Sequence, residues 1–360
     1  MLARVLSISF NQNNKIKRNN PFNLVAQNSA KTSNNPSFKC REYHAPEMDI
    51  AEYYSLTERK KILLRKECDQ FGDHLKVADL YDKTERALPL KTLSEKQDFF
   101  EVAKRYSDLK SHPIICLGRS PKWFLGTSRW MQGGIQDYDF VAFSKGWYDK
   151  KIDFSTNENY IEKNFQNLPT ASQENSYRLY LKLIKADPKS LVEKANKAKN
   201  TVIITDYVQS SRGITSFLDL MSRYAEKQGV LDDFSKSIEF FTIGCKDYHF
   251  GNPLSYHATK SQNQRVILPE VLHKIVPKAA WGDLYPRQTY FDIPKKIFED
   301  FIENKNANEC RSSFYPKELW TSFKPCYEKP KFSQTMKNYR NLLCFRILDA
   351  LADQKLLRKI

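Results

Sequence analysis

The chain has 360 residues and a formal net charge of +16, from 58 Lys and Arg against 42 Asp and Glu, with a sequence pI of about 9.3. A hydrophobic share of 41%, with 23 Phe and 19 Tyr, excludes a wholly disordered chain, and the length excludes a mini-protein that needs staples to fold. The seven cysteines are odd in number and widely spaced, with no CxxC pair; this excludes a disulfide framework and a zinc module and fits a reducing, cytoplasmic compartment.

No apolar run approaches the roughly eighteen residues of a membrane span, so a soluble protein without a membrane partner is expected. The positive balance suits acidic partners, either phosphorylated small molecules or nucleic acid, and equally suits a Lys-rich solvated surface.

Residues 1–46 contain nine Asn and seven Lys or Arg against one acidic residue, and read as a polar tail. Their first ten residues are too short for a secretory core, which leaves only export by a non-classical route. Residues 47–110 carry helical patterns. Ser55 with Glu58 and Ser94 with Gln97 have capping-box spacing ahead of the apolar sets Ile62, Leu63, Cys68, Phe71 and Phe99, Val102, Ala103, Tyr106.

Residues 113–117 form a short apolar run that enters Gly118-Arg119-Ser120-Pro121, so a buried strand turns directly into a helix. Gly118 permits close backbone approach and Arg119 stands beside a helix N-terminus, a candidate anion site that is otherwise a well-capped turn. Residues 138–143 read as the next strand, followed by Lys145 and a polar stretch to about residue 174. Two helices, over 176–186 and from Pro188 onward, then return the chain to the sheet.

The most informative stretch is residues 201–215, Thr-Val-Ile-Ile-Thr-Asp206-Tyr207-Val-Gln-Ser210-Ser211-Arg212-Gly213-Ile214-Thr215. Four consecutive apolar-type residues are too few for a helix and do not alternate, which predicts an interior parallel strand. Ile214, Phe217, Leu218, Met221 and Ala225 then repeat at helical spacing until Gly229. The unit places Asp206 at the carboxyl edge of a sheet and turns backbone N–H groups between Ser211 and Thr215 outward, where an anion is favoured. The same pattern also serves an ordinary βα turn. A further strand is predicted over 237–244 and another over 265–269. Asp247 and His249 fall in the loop between them. Residues 277–292, with Trp281, Tyr285 and Tyr290, read as loop. The C-terminal part reads as basic helices, with net charge +5 between Lys317 and Arg346, a possible surface for nucleic acid or a protein partner.

Residues 201–215 resemble the ligand-binding motif of type I phosphoribosyltransferases, in which a hydrophobic strand ends in an acidic pair and a Thr/Ser/Gly turn opens a helix. The resemblance implies that Asp206 holds ribose hydroxyls, with indirect contact to Mg2+. It also implies that Tyr207 and the turn Ser210, Ser211, Arg212, Gly213, Ile214 and Thr215 line the substrate and its 5′-phosphate. By the same resemblance Arg119 with Ser120 corresponds to the pyrophosphate loop, and Lys145 to a basic residue at a strand end that precedes a closing loop. The implied fold is α/β, a phosphoribosyltransferase-like parallel sheet over residues 111–270, flanked by N-terminal helices and, from 271 to 360, a mainly helical region. The implied activity is transfer of a phosphoribosyl group from a donor such as phosphoribosyl pyrophosphate (PRPP), with Asp206, Arg119 and Lys145 as catalytic candidates. Tyr207 stands where the family has its second acid and the turn is one residue longer. Both departures favour the alternative of a non-catalytic phospho-ligand or regulatory module.

Overall fold

The structure, a computed structural model, describes residues 48–71, 88–118, 120–134, 138–143, 146–153, 158–208, 212–245, 288–303 and 334–358. Short apolar runs become strands covered on both faces: Ile114, Ile115, Cys116 and Leu117 of β1 (Ile114–Leu117) are all buried, as are Val202, Ile203, Ile204 and Thr205 of β5 (Val202–Tyr207). With β2 (Tyr138–Val141), β6 (Ile238–Cys245) and β7 (Gln288–Ile293) they form a five-stranded sheet in the order β2-β1-β5-β6-β7, every neighbouring pair parallel. Strands β3 (Tyr148–Asp153) and β4 (Glu158–Lys163) form a separate antiparallel hairpin between β2 and β5 in the chain. The architecture is therefore α/β, a parallel sheet flanked by helices.

The helices are α1 (Ile50–Ser55), α2 (Glu58–Gln70), α3 (Leu93–Asp108), α4 (Lys122–Met131), α5 (Ala171–Leu183), α6 (Pro188–Ala198), α7 (Arg212–Lys227), α8 (Leu231–Ser237) and α9 (Gln334–Asp353). A short helical turn, Lys295–Ile297, runs into a wider one, Phe298–Glu303. From β1 the chain moves outward to β2 through α4; from β5 it moves the other way to β6 through α7. Right-handed crossovers in opposite directions place α4 and α7 on opposite faces. One face is covered by α3, α4 and the turn at 295–303, joined by Phe99, Phe124 and Phe301, whose ring centroids are 4.4 Å (Phe99 to Phe301) and 5.2 Å (Phe99 to Phe124) apart. The other carries α6, α7 and α8.

Several boundaries differ from the sequence reading. Thr57 caps α2, and Thr92 with Glu95 forms the reciprocal box of α3. Ser55 instead ends α1, and Thr92 outcompetes Ser94 because its third partner is a carboxylate, which the helix N-terminus favours over the amide of Gln97. The polar stretch after Lys145 contains the hairpin, and the run read as loop after Tyr285 contains β7. The strand expected over 265–269, Asp247 and His249 lie outside the described residues.

Helix α9 packs on α1, α2 and α4, so the last described helix completes the layer begun by the first. Its Asp349 accepts a hydrogen bond from the Tyr53 hydroxyl (3.0 Å) and two from Arg65, at Nε and Nη2 (2.7 Å each). Burial, reinforced by Asp349, pushes the Tyr53 phenol above its ordinary range. Arg346 donates to the carbonyls of Leu88 and Pro89 and to Asp69. Arg340 is fully buried over the Trp123 ring at 5.5 Å, and desolvation pushes its guanidinium down to about 10. Two of the basic residues counted toward a C-terminal surface thus lie in the interior.

Asp349→Ala should lower unfolding free energy by about 2 kcal/mol in urea titrations, chiefly because the buried Tyr53 hydroxyl loses its acceptor. Arg65 adds little to this loss, since its side chain is 42% exposed and water replaces the carboxylate. Tyr53→Phe combined with Asp349→Ala should then cost less than Asp349→Ala alone, because it also removes the hydroxyl that is left without an acceptor.

Candidate functional site

In an open parallel sheet, ligands bind outside the carboxyl ends of the strands, at the point where the connections reverse direction. Here that point lies between β1 and β5. Cys116 is the lateral partner of Thr205, so the next residues, Leu117 and Asp206, stand side by side at the edge. Asp206 is in turn registered with Thr242 of β6.

Strand alternation sorts these side chains. The Thr205 hydroxyl is hydrogen-bonded to the Tyr106 hydroxyl of α3 at 2.8 Å, and Tyr106 also packs on Phe241, so this residue row faces the α3 layer. Asp206 and Thr242 belong to the opposite face, the α7 side. Tyr207 turns back toward the α3 layer, where its ring lies 4.9 Å from that of Phe298. The residue standing where a second acid would be expected therefore packs inward.

Asp206 is half-buried and accepts the Tyr207 N–H at 2.8 Å. Burial pushes its carboxyl well above the ordinary carboxylate range, and the Tyr207 bond only partly opposes this. Beside it the Thr242 side chain is fully buried, and its hydroxyl has no hydrogen-bond partner among the described residues. A desolvated carboxylate next to an unsatisfied hydroxyl is a costly pair for a purely structural edge.

Two neighbouring strand ends open onto the same edge. After β1, Gly118 adopts φ 69°, a conformation that a side chain would strain, and its N–H donates to the Val141 carbonyl of β2 at 2.9 Å. Half-buried Ser120 follows, and Lys122 opens α4. After β2, Ala142 is fixed by two tyrosines of α5: its N–H donates to the Tyr180 hydroxyl (2.9 Å) and its carbonyl accepts from the Tyr177 hydroxyl (2.7 Å). Arg119, Lys145, Ser210 and Ser211 lie outside the described residues, as does the side chain of Arg212.

Helix α7 begins at Arg212, so the N–H groups of Arg212, Gly213 and Ile214 have no acceptor within the helix. Gly213 does not have positive φ, and a Cβ built there meets nothing within 4 Å. Its backbone is ordinary helix, so the turn itself does not require glycine. Ile214 and Thr215 are buried and offer the edge their backbone only.

Sequence reasoning missed a buried polar chain beside this edge. Trp147, fully buried, donates its backbone N–H to Ser216 Oγ (3.0 Å) and its indole N–H to Asp219 Oδ2 (2.7 Å). Asp219 Oδ1 accepts from Arg223 Nε (3.3 Å), and Arg223 Nη1 reaches both oxygens of Glu174 (2.9 Å each), which also pairs with Arg178. Burial opposes the charge on Arg223, yet Asp219 and Glu174 hold its guanidinium above the ordinary range. The available signal was Asp219 itself, a carboxylate inside the apolar run Phe217-Leu218-Asp219-Leu220-Met221.

No group of three or more His, Cys, Asp or Glu that could hold a metal ion occurs among the described residues. Asp206 supplies one carboxylate, so a hard cation at this edge would complete its shell with phosphate oxygens and water. No helix among the described residues is long and apolar enough to cross a membrane. Comparison with protein-family models, with curated proteins and with solved structures gave no match.

Because the folded-state pKa of Asp206 is raised, its ionisation opposes folding. The penalty is absent below the unfolded value near pH 4, grows as pH rises through it, and is complete above the folded value. Asp206→Asn keeps the acceptor for the Tyr207 N–H and removes the charge. The ligand-free variant should therefore melt higher than the parent at pH 7 and level with it near pH 4, as read by calorimetry at both pH values.

Proposed function

We propose that the chain binds a 5-phosphorylated ribose of the PRPP type at the sheet edge between β1 and β5, and acts there as a phosphoribosyltransferase-like pentosyl transferase. The observation that carries this reading is the order β2-β1-β5 in an all-parallel sheet. Three segments far apart in sequence, each entered by an apolar strand, leave the sheet at neighbouring positions on one edge. Asp206 and the start of α7 belong to the innermost of them.

In this reading Asp206 accepts hydrogen bonds from the ribose hydroxyls, which replace the hydration that its burial denies it. The N–H groups of Gly213 and Ile214, which have no acceptor within the helix, hold the 5-phosphate at a helix N-terminus together with Ser210, Ser211, Arg212 and Thr215. An acceptor attacks C1 of the ribose, the C1–O bond to pyrophosphate breaks, and Arg119 and Lys145 balance the charge that develops on the departing group. Bound Mg2+ would neutralise further charge on that pyrophosphate.

A second reading, a phospho-ligand module without turnover, is favoured by Tyr207, whose ring packs on Phe298 and gives the edge no second carboxylate. A nucleic-acid surface on the C-terminal helix is not favoured, because Arg340 and Arg346 are buried in α9.

Gly213→Val tests whether the start of α7 belongs to the site. Its side chain would enter space the protein leaves open, so the variant should keep the parent's melting midpoint while losing at least tenfold in affinity for PRPP with Mg2+ by calorimetry. Asp206→Asn should lose ribose-dependent binding as well. Arg119→Ala with Lys145→Ala should weaken PRPP about a hundredfold and ribose 5-phosphate hardly at all, from two lost charge-assisted contacts of roughly 1.5–3 kcal/mol each. Pyrophosphate release by the parent identifies an enzyme; tight binding without release identifies the module. Unchanged affinity in Gly213→Val removes α7 from the site.

A further inference from the structure

The chain that leaves β2 is held at both ends of a short span. At its start the two tyrosine hydroxyls of α5 engage the backbone of Ala142. Next to it the Phe143 ring wedges among Tyr177 (5.8 Å), Phe217 (5.3 Å) and Trp147 (6.3 Å). At its end Trp147 is bonded twice to α7, at Ser216 and Asp219. These two acceptors are three residues apart and therefore share one face of the first two turns of that helix. From there the hairpin β3–β4 departs, closed at its root by the Asn164 N–H donating to the Trp147 carbonyl at 2.6 Å.

A requirement for cohesion alone does not explain the chemistry of this joint. Trp147 has no exposed surface and would be retained by apolar contact, whereas a fully buried carboxylate brings a desolvation cost that its partners only offset. What the carboxylate adds is direction. One oxygen takes the indole N–H, the other takes Arg223, and Arg223 is fixed by both oxygens of Glu174 on α5. The indole is thus oriented from two helices, and its backbone N–H fixes how far along α7 the chain makes contact.

We propose that Trp147, held by Ser216 and Asp219, is a positioning residue for the candidate site: it ties the chain leaving β2 to the opening turns of α7, and so sets the geometry of the edge where the phosphorylated ribose binds. The proposal rests on the functional reading above. It assigns a role in binding to groups that do not touch the ligand.

The test uses the full chain and two readouts. Hydrogen exchange without ligand reports whether the hairpin amides of β3 and β4 are held, and calorimetry with PRPP and Mg2+ reports affinity, all at least 15 degrees below each variant's melting midpoint. Trp147→Phe keeps a ring and loses the indole donor. Ser216→Ala loses only the other acceptor, and carries the test if the first variant folds poorly. Each is expected to speed hairpin exchange tenfold or more and to weaken PRPP at least tenfold. Asp219→Asn, which keeps an acceptor for the indole but turns an amide donor toward Arg223, should weaken PRPP less than Asp219→Ala, which loses both bonds. Faster exchange with affinity within twofold of the parent overturns the proposal and leaves the functional reading standing, because the joint would then be structural only. Unchanged exchange and affinity in both variants overturns it too. A parent chain that binds neither PRPP nor ribose 5-phosphate overturns the functional reading and this proposal together.

Discussion

Parallel pairing on both sides of β5 is the constraint from which the remaining features follow. A strand flanked by parallel neighbours cannot return by a hairpin, so each connection must cross a face of the sheet through a helix. The helices then bury the faces, and the polar groups of the sheet itself meet solvent at the line of strand ends. Asp206 sits at that line because Val202 to Thr205 fill the buried interior of the strand, which ends one residue after the carboxylate, at Tyr207. Tyr207 and Val208 extend pairing toward β6, with the Val208 N–H bonded to the Ile243 carbonyl at 2.8 Å. The carboxylate is therefore held partly out of water by backbone bonds that are needed for the sheet itself.

The same constraint explains why the two helical layers have different characters. The α3 side is dense with aromatic contacts, in which Phe99, Phe124, Phe301, Tyr207 and Phe298 fill the space behind the sheet. The α7 side has ionic chemistry at its rim, where Glu174, Arg223 and Asp219 run from α5 to the root of the hairpin. Among the described residues, Cys68, Cys116 and Cys344 are not poised to react. Cys116 lies at the heart of the sheet, and burial pushes Cys68 and Cys344 up to about 12, which leaves them protonated near neutral pH.

What the sequence reveals depends on whether one physical signal dominates a stretch. Strands β1 and β5 are legible because burial on both faces demands unbroken apolar runs, β6 because Phe240, Phe241 and Ile243 dominate its stretch, and α7 because its stripe continues for four turns. The hairpin was hidden: Tyr-Asp-Lys-Lys-Ile-Asp and Glu-Asn-Tyr-Ile-Glu-Lys carry more charge than the apolar run or clean alternation by which a strand is recognised. In β7, Gln-Thr-Tyr-Phe-Asp-Ile, the strand opens on two polar residues and Asp292 interrupts the apolar remainder. Within the candidate site Asp206 was visible as the end of an apolar run. The bond between Trp147 and Asp219 was not, since it joins positions 72 apart whose partnership no local pattern records.

The joining of α9 to the first helices has a consequence for the order in which the molecule can be made. Tyr53 and Asp349 are 296 positions apart, and Arg65 and Asp349 are 284 apart. During synthesis α1 and α2 emerge early, and the surface they bury against α9 stays without its cover until nearly the whole sheet has been translated. Growing chains on neighbouring ribosomes would display that apolar surface to one another over this long interval, and it is there that a nascent chain needs shielding by a chaperone.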